Sequence, residues 1–223
     1  MQPSSQKYKH AVKPWRWLLL VTCLATAAGA SFAPWVSRPQ AALALTAPDL
    51  AEFVKFLPQV RSGTLVLQRL AFLTPLFAIT LTLPMVAVSK RASFPRLIQI
   101  GLLAAVCPLA LTLLPPVWSP AVLTSPEFRL QTMACLVCLA LIPLSRWLRI
   151  VPAAGLTPLF FLTWLGGSAM SIWQFYRALP AIAAAYAAPI APGWGLWLVA
   201  FGCLGMMAAW YMCWRSEKTT LTH

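Results

Sequence analysis

Long apolar runs recur along this chain with basic residues gathered between them, and that spacing leaves few folds open. A helix needs roughly 20 mostly apolar residues to cross the hydrocarbon of a bilayer. Six stretches are candidates: residues 15–36, 64–88, 97–116, 130–144, 151–175 and 193–214, the fourth being the shortest. Only 9% of the residues are charged and 60% are hydrophobic, whereas a soluble domain carries about 25% charged residues. Water solvates such a chain poorly, so lipid is the expected solvent. The net charge of +13 does not point to nucleic acid. The longest basic cluster, Lys7, Lys9, Lys13 and Arg16, offers no continuous groove-sized positive face.

The expected fold is all-α: a polytopic integral membrane protein built as a six-helix transmembrane bundle. Residues 15–214 form one transmembrane domain between a basic tail at 1–14 and a second tail at 215–223, with no internal repeat. Lys and Arg placement sets orientation. With the N-terminus inside, the inner segments hold eleven basic residues and the outer segments six. Both termini are therefore expected in the cytoplasm, with the protein in the cell membrane. Ten of the eleven tryptophans fall at the ends of the six runs, at the depth indole prefers; Trp35 is expected in the outer belt, and Trp164 lies mid-run. Residues 1–30 also resemble a signal peptide, with Ala28-Gly29-Ala30 before Ser31. The uncleaved anchor is preferred, because the apolar stretch continues through Phe32.

The segment between the first two runs holds Asp49 and Glu52, half of the chain's four acids. Thr46 followed by Asp49 three residues later forms a capping-box pattern, and Pro48 is tolerated in a first helical turn. Leu50, Phe53, Val54 and Leu57 share one face at helical spacing. A short amphipathic helix is expected over 47–57, ending at Pro58 and lying in the outer headgroup layer, apolar face down. Its preferred role is to seal the top of the bundle. The alternative is a docking site for a partner, with Asp49, Glu52, Phe53 and Phe56 as contacts. Arg69 and Arg177 lie near outer ends and are read as snorkelling anchors, with an anionic headgroup or a substrate as the alternative contact.

Few residues invite chemistry. Both histidines, His10 and His223, are in the tails, so no run supplies an axial histidine for haem; no cofactor or metal is expected. No Asp or Glu lies within a run, which argues against proton coupling. Cys135 and Cys138 have redox spacing, but a thiol–quinone oxidase needs a second, exposed pair, and Cys23, Cys107, Cys203 and Cys213 all lie within runs. Nucleotide and zinc-protease signatures are absent. Small residues suit close helix packing: Gly167 with Ser171, Ala25 with Gly29, and Gly202 with Gly205. Pro75, Pro84, Pro108, Pro143 and Pro158 can kink helices, which raises the alternative of a cavity, with Gln68, Gln99, Gln131 and Gln174 near span ends. The functional expectation is a non-catalytic accessory, assembly or scaffold subunit whose partners are the bilayer and other membrane subunits. The alternative is a permease-like subunit for a hydrophobic or lipid substrate, energised by a separate protein.

Overall fold

Prolines and glycines punctuate the helices of the computed structural model, which describes residues 14–38, 43–148 and 153–221. Helix α1 (Pro14–Ser31) starts on a proline. It stops short of the expected residue 36, because Pro34 cannot continue a helix. The chain instead turns into strand β1 (Val36–Arg38), which pairs antiparallel with β2 (Leu43–Leu45), Val36 opposite Leu45. Helix α2 (Ala47–Phe53) follows, then a 3-10 turn (Val54–Phe56) and one turn of helix, α3 (Pro58–Arg61).

A 3-10 turn (Arg69–Leu73) leads into α4 (Thr74–Val88), and α5 (Arg96–Leu111) comes next. A short α6 (Pro120–Leu123) precedes α7 (Arg129–Leu148), α8 (Ala153–Ala185) and α9 (Trp194–Leu221). The described chain is mostly helical. Among the described residues, two helices are long and apolar enough to cross a membrane: Arg69–Val88, mostly buried, and Trp194–Arg215, mostly exposed. Arg96–Leu111 and Arg129–Ser145 are shorter apolar helices.

Helix α4 is the hub, packed by α1, α5, α7 and α8. Leu76, Ile79 and Leu83 along it, and Phe72 in the turn before it, are fully buried. Thr80 and Thr82 return their hydroxyls to the carbonyls of Leu76 and Ala78 (2.6 and 2.7 Å), so neither is left unsatisfied. Helix α9 lies along α1. A Cβ at Gly202 would overlap Thr26 Oγ1, and one at Gly205 would overlap the Thr22 methyl. Missing side chains therefore allow the two helices to approach closely. The same economy brings residues 192–195 against the end of the first helical segment. Gly193 N donates to Trp35 O (2.6 Å), Gly195 N donates to Pro34 O (2.9 Å), and a Cβ on either glycine would overlap that backbone.

Two expectations need correction. Trp35 is not a belt residue: it is fully buried, edge-on to Phe175 at 5.7 Å, and its indole donates to Gly29 O at 2.7 Å. The bend after α1 folds it back into the core. Helix α8 does not end near residue 175 but runs 33 residues, to Ala185, about 50 Å. Its alanine-rich last turns keep the helix going, and Ala178, Ala181 and Ile182 are buried against the rest of the chain.

Candidate functional site

The segments between α1 and α4, the start of α7 and the end of α8 meet in a cap at one end of the bundle. Helix α2 enters it through a closed capping box. Asp49 N donates to Thr46 Oγ1 (3.4 Å), while Asp49 Oδ2 accepts from Thr46 N (3.0 Å) and from the Thr46 hydroxyl (2.7 Å). Leu50, Val54 and Leu57 are buried by protein, so the apolar stripe faces the bundle rather than open headgroups. Phe53 stacks on Tyr186 beyond α8 (5.9 Å, 17° between planes). Phe56 is exposed, its ring 5.4 Å from Lys55 Nζ.

Four charges alternate in a closed ring on this cap. Lys55 Nζ lies 2.7 Å from Glu52 Oε2 and 3.1 Å from Glu127 Oε1. Arg69 Nη1 lies 2.7 Å from Glu127 Oε1 and 3.5 Å from Glu52 Oε1. Arg69 Nη2 also donates to Glu127 O (2.9 Å) and to Gln131 Oε1 (3.4 Å). The Phe128 ring lies under both cations, 4.7 Å from the Arg69 guanidinium and 5.5 Å from the Lys55 ammonium. Hydrogen bonding to Glu52 raises the Lys55 pKa above its ordinary 10.5; partial burial opposes this, and Glu127 adds to it.

Arg69, read from sequence as a snorkelling anchor, is thus held by carboxylates, with its side chain 17% exposed. Glu127 was missed. The signal available was its rarity: a lone acid two residues before a helix start, where the helix dipole favours negative charge. The ring ties residues 52–55, 69 and 127–131 together, segments far apart in sequence.

Arg177 is not in the ring. Its guanidinium lies over the Trp173 ring at 4.9 Å, beside a groove of about 300 Å³ that includes Gln59 and Thr64. Deeper in the bundle, Gly167 faces Thr74, whose hydroxyl donates to Gly167 O (2.6 Å). Ser171 is fully buried on the same helix, whereas Gly202 and Gly205 line the separate seam between α1 and α9. Cys135 and Cys138 are both buried, with free thiols. Among the described residues no group of three or more His, Cys, Asp or Glu is placed to hold a metal ion; His10 and His223 lie outside them. No family model, curated protein or solved structure matches the chain.

Proposed function

We propose that the chain is a six-span, non-catalytic membrane protein, an accessory or scaffold subunit whose bundle offers lipid-facing and partner-facing helix surfaces. The observation that supports this best is where the large side chains sit. Helix α9 exposes Trp197, Phe201, Leu204 and Met207, α7 exposes Leu130, Met133, Leu136 and Val137, and α5 exposes Leu97 and Ile100. Covering each in lipid or in a neighbouring helix is worth on the order of 1–2 kcal/mol; exposed Arg96 and Arg129 stand at the helix starts beside two of these patches, where long side chains reach water. On this reading the six spans are α1, α4 with its preceding 3-10 turn, α5, α7, the first part of α8, and α9. Both chain ends are cytoplasmic, and the cap is on the outer side.

The central position of α4 weighs against the permease-like alternative. A carrier needs a path between its helices; here the axis is taken by a helix whose neighbours press large side chains against it. Copurification from native membranes in mild detergent, followed by mass spectrometry, tests the proposal. A heteromeric membrane partner of fixed stoichiometry is expected. A lone chain that moves lipid across vesicles once joined by an ATPase would overturn it. Reporter fusions test the topology separately: tails on opposite faces would remove the six-span map.

A further inference from the structure

We infer that the groove beside Arg177 binds the phosphate of an anionic glycerophospholipid headgroup in the outer leaflet, an inference that rests on the membrane reading above. The groove is a shallow, open depression of about 300 Å³ lined by Gln59, Thr64, Leu65, Arg177, Pro180 and Ala181. That is the low end for a ligand pocket, the size of a headgroup rather than of a whole lipid. Leu65, Pro180 and Ala181 form an apolar wall suited to a glycerol backbone. Arg177, Gln59 and Thr64 supply the polar contacts.

Charge complementarity selects phosphate. Two cations on the cap, Lys55 and Arg69, are neutralised by Glu52 and Glu127; Arg61 and Arg129 are exposed without a carboxylate partner among the described residues, but neither lines the groove. No carboxylate reaches Arg177 among the described residues; its contact is with the face of Trp173. A cation–π contact of this kind consumes no N–H donor, which leaves the guanidinium N–H groups for a bidentate acceptor such as phosphate. The Gln59 side-chain oxygen is buried without a hydrogen-bond partner. An amide can be turned about its last bond, so it meets either a phosphate oxygen with its N–H or a headgroup hydroxyl with its oxygen. Thr64 donates to Gln59 O (3.0 Å) and lies 3.0 Å from Ser62 Oγ, so its remaining lone pair is open to a headgroup hydroxyl, while the phosphate falls to Arg177.

Depth selects a lipid as the source. Trp173 is half exposed, and on the six-span reading it stands near the outer end of its span, where indole meets headgroups. Arg177 stands one helical turn beyond it, about 6 Å further from the membrane centre.

The test is native mass spectrometry of the full chain in detergent with phosphatidylglycerol, phosphatidylcholine or inorganic phosphate. The wild-type chain is expected to retain one phosphatidylglycerol in preference to phosphatidylcholine. Arg177→Gln should lose about tenfold in that retention, a change of about 1.4 kcal/mol. Arg177→Lys should keep part of it, and Arg61→Gln, on the exposed surface of α3, should keep all of it. Thr64→Trp, which fills the groove from an exposed position, should abolish retention with Arg177 intact, so a misfolded Arg177 variant does not decide the matter alone. Equal retention of the two lipids, or no effect of Arg177→Gln and Thr64→Trp, overturns the inference. Displacement of phosphatidylglycerol by comparable inorganic phosphate also overturns it, assigning the groove to a soluble anion. A chain found in the soluble fraction of lysed cells defeats the membrane reading itself; a membrane-bound chain indifferent to Arg177 defeats only the headgroup site.

Discussion

Removing one carboxylate from the ring on the cap should loosen the whole cap, and Glu127→Gln is the informative change. Arg69 lies 2.7 Å from Glu127 and 3.5 Å from Glu52. At an effective dielectric near 20, a pair at such distances interacts by ~4 kcal/mol before desolvation and entropy are subtracted. The Glu127 side chain is 52% exposed, so solvent screening brings its share down towards the ~1 kcal/mol of exposed pairs. Arg69 is better covered and also donates to Glu127 O at 2.9 Å. Charged hydrogen bonds of that kind contribute ~1.5–3 kcal/mol when buried. We therefore expect Glu127→Gln to cost about 1 kcal/mol, Arg69→Gln about 2 kcal/mol, and the double variant less than their sum, with a coupling of about 1 kcal/mol. The assay is reversible unfolding from mild micelles by dodecyl sulfate, followed by tryptophan fluorescence. Higher ionic strength should shrink the coupling and leave the part of the Arg69 effect that runs through the backbone carbonyl. Additive single effects, or an unchanged Glu127→Gln, would refute the reasoning and leave the ring as incidental proximity.

Other perturbations read other parts of the fold. Because the Lys55 pKa is raised on folding, its contribution is fully present below the ordinary value of 10.5 and is lost as pH rises through the higher folded value; Lys55→Gln should abolish that alkaline loss and change nothing in its shape between neutral pH and the onset. A pH profile of unfolding that is the same for both proteins counts against the ion pairs. Gly202→Ala should cost about 1–3 kcal/mol through overlap with Thr26, and adding Thr26→Ala should recover part of it; failure to recover would place the strain elsewhere. Trp35→Phe removes the indole donor from Gly29 O and should cost about 1–3 kcal/mol in the same unfolding assay, whereas an exposed tryptophan such as Trp118 should tolerate the change.

Helices were legible in the sequence wherever a run of apolar residues was long, because backbone satisfaction in an apolar setting leaves little choice but helix. Runs alone do not fix where a helix stops. The apolar run continues past Ser31, yet the helix stops there, and after Pro34 the chain enters the strand Val36–Arg38, which pairs with residues 43–45. Hydropathy does not separate a strand from a helix end. Helix α8 overran its expected limit for the opposite reason: Arg177 interrupts the hydropathy, not the helix propensity of the alanines that follow it.

The cap shows where single-sequence reasoning runs out and why. Thr46 and Asp49 could be paired on paper because a capping box is local. Glu52 could be placed on the polar side of α2, but not its distant partner Arg69, nor the second carboxylate, Glu127, that shares Lys55 and Arg69 with it; tertiary packing brings these together across 17 and 75 residues of chain. The scarcity of acid then acquires a physical meaning. In a chain with 17 basic residues and 4 acidic ones, Glu52 and Glu127 both go to the same two cations, Lys55 and Arg69. Those two are the basic side chains that would otherwise repel each other over the Phe128 ring. Arg177, on a different helix face and beyond their reach, keeps its charge available. What sets Arg177 apart from Arg61 and Arg129, which are also without a carboxylate among the described residues, is that it alone of the three lines the groove.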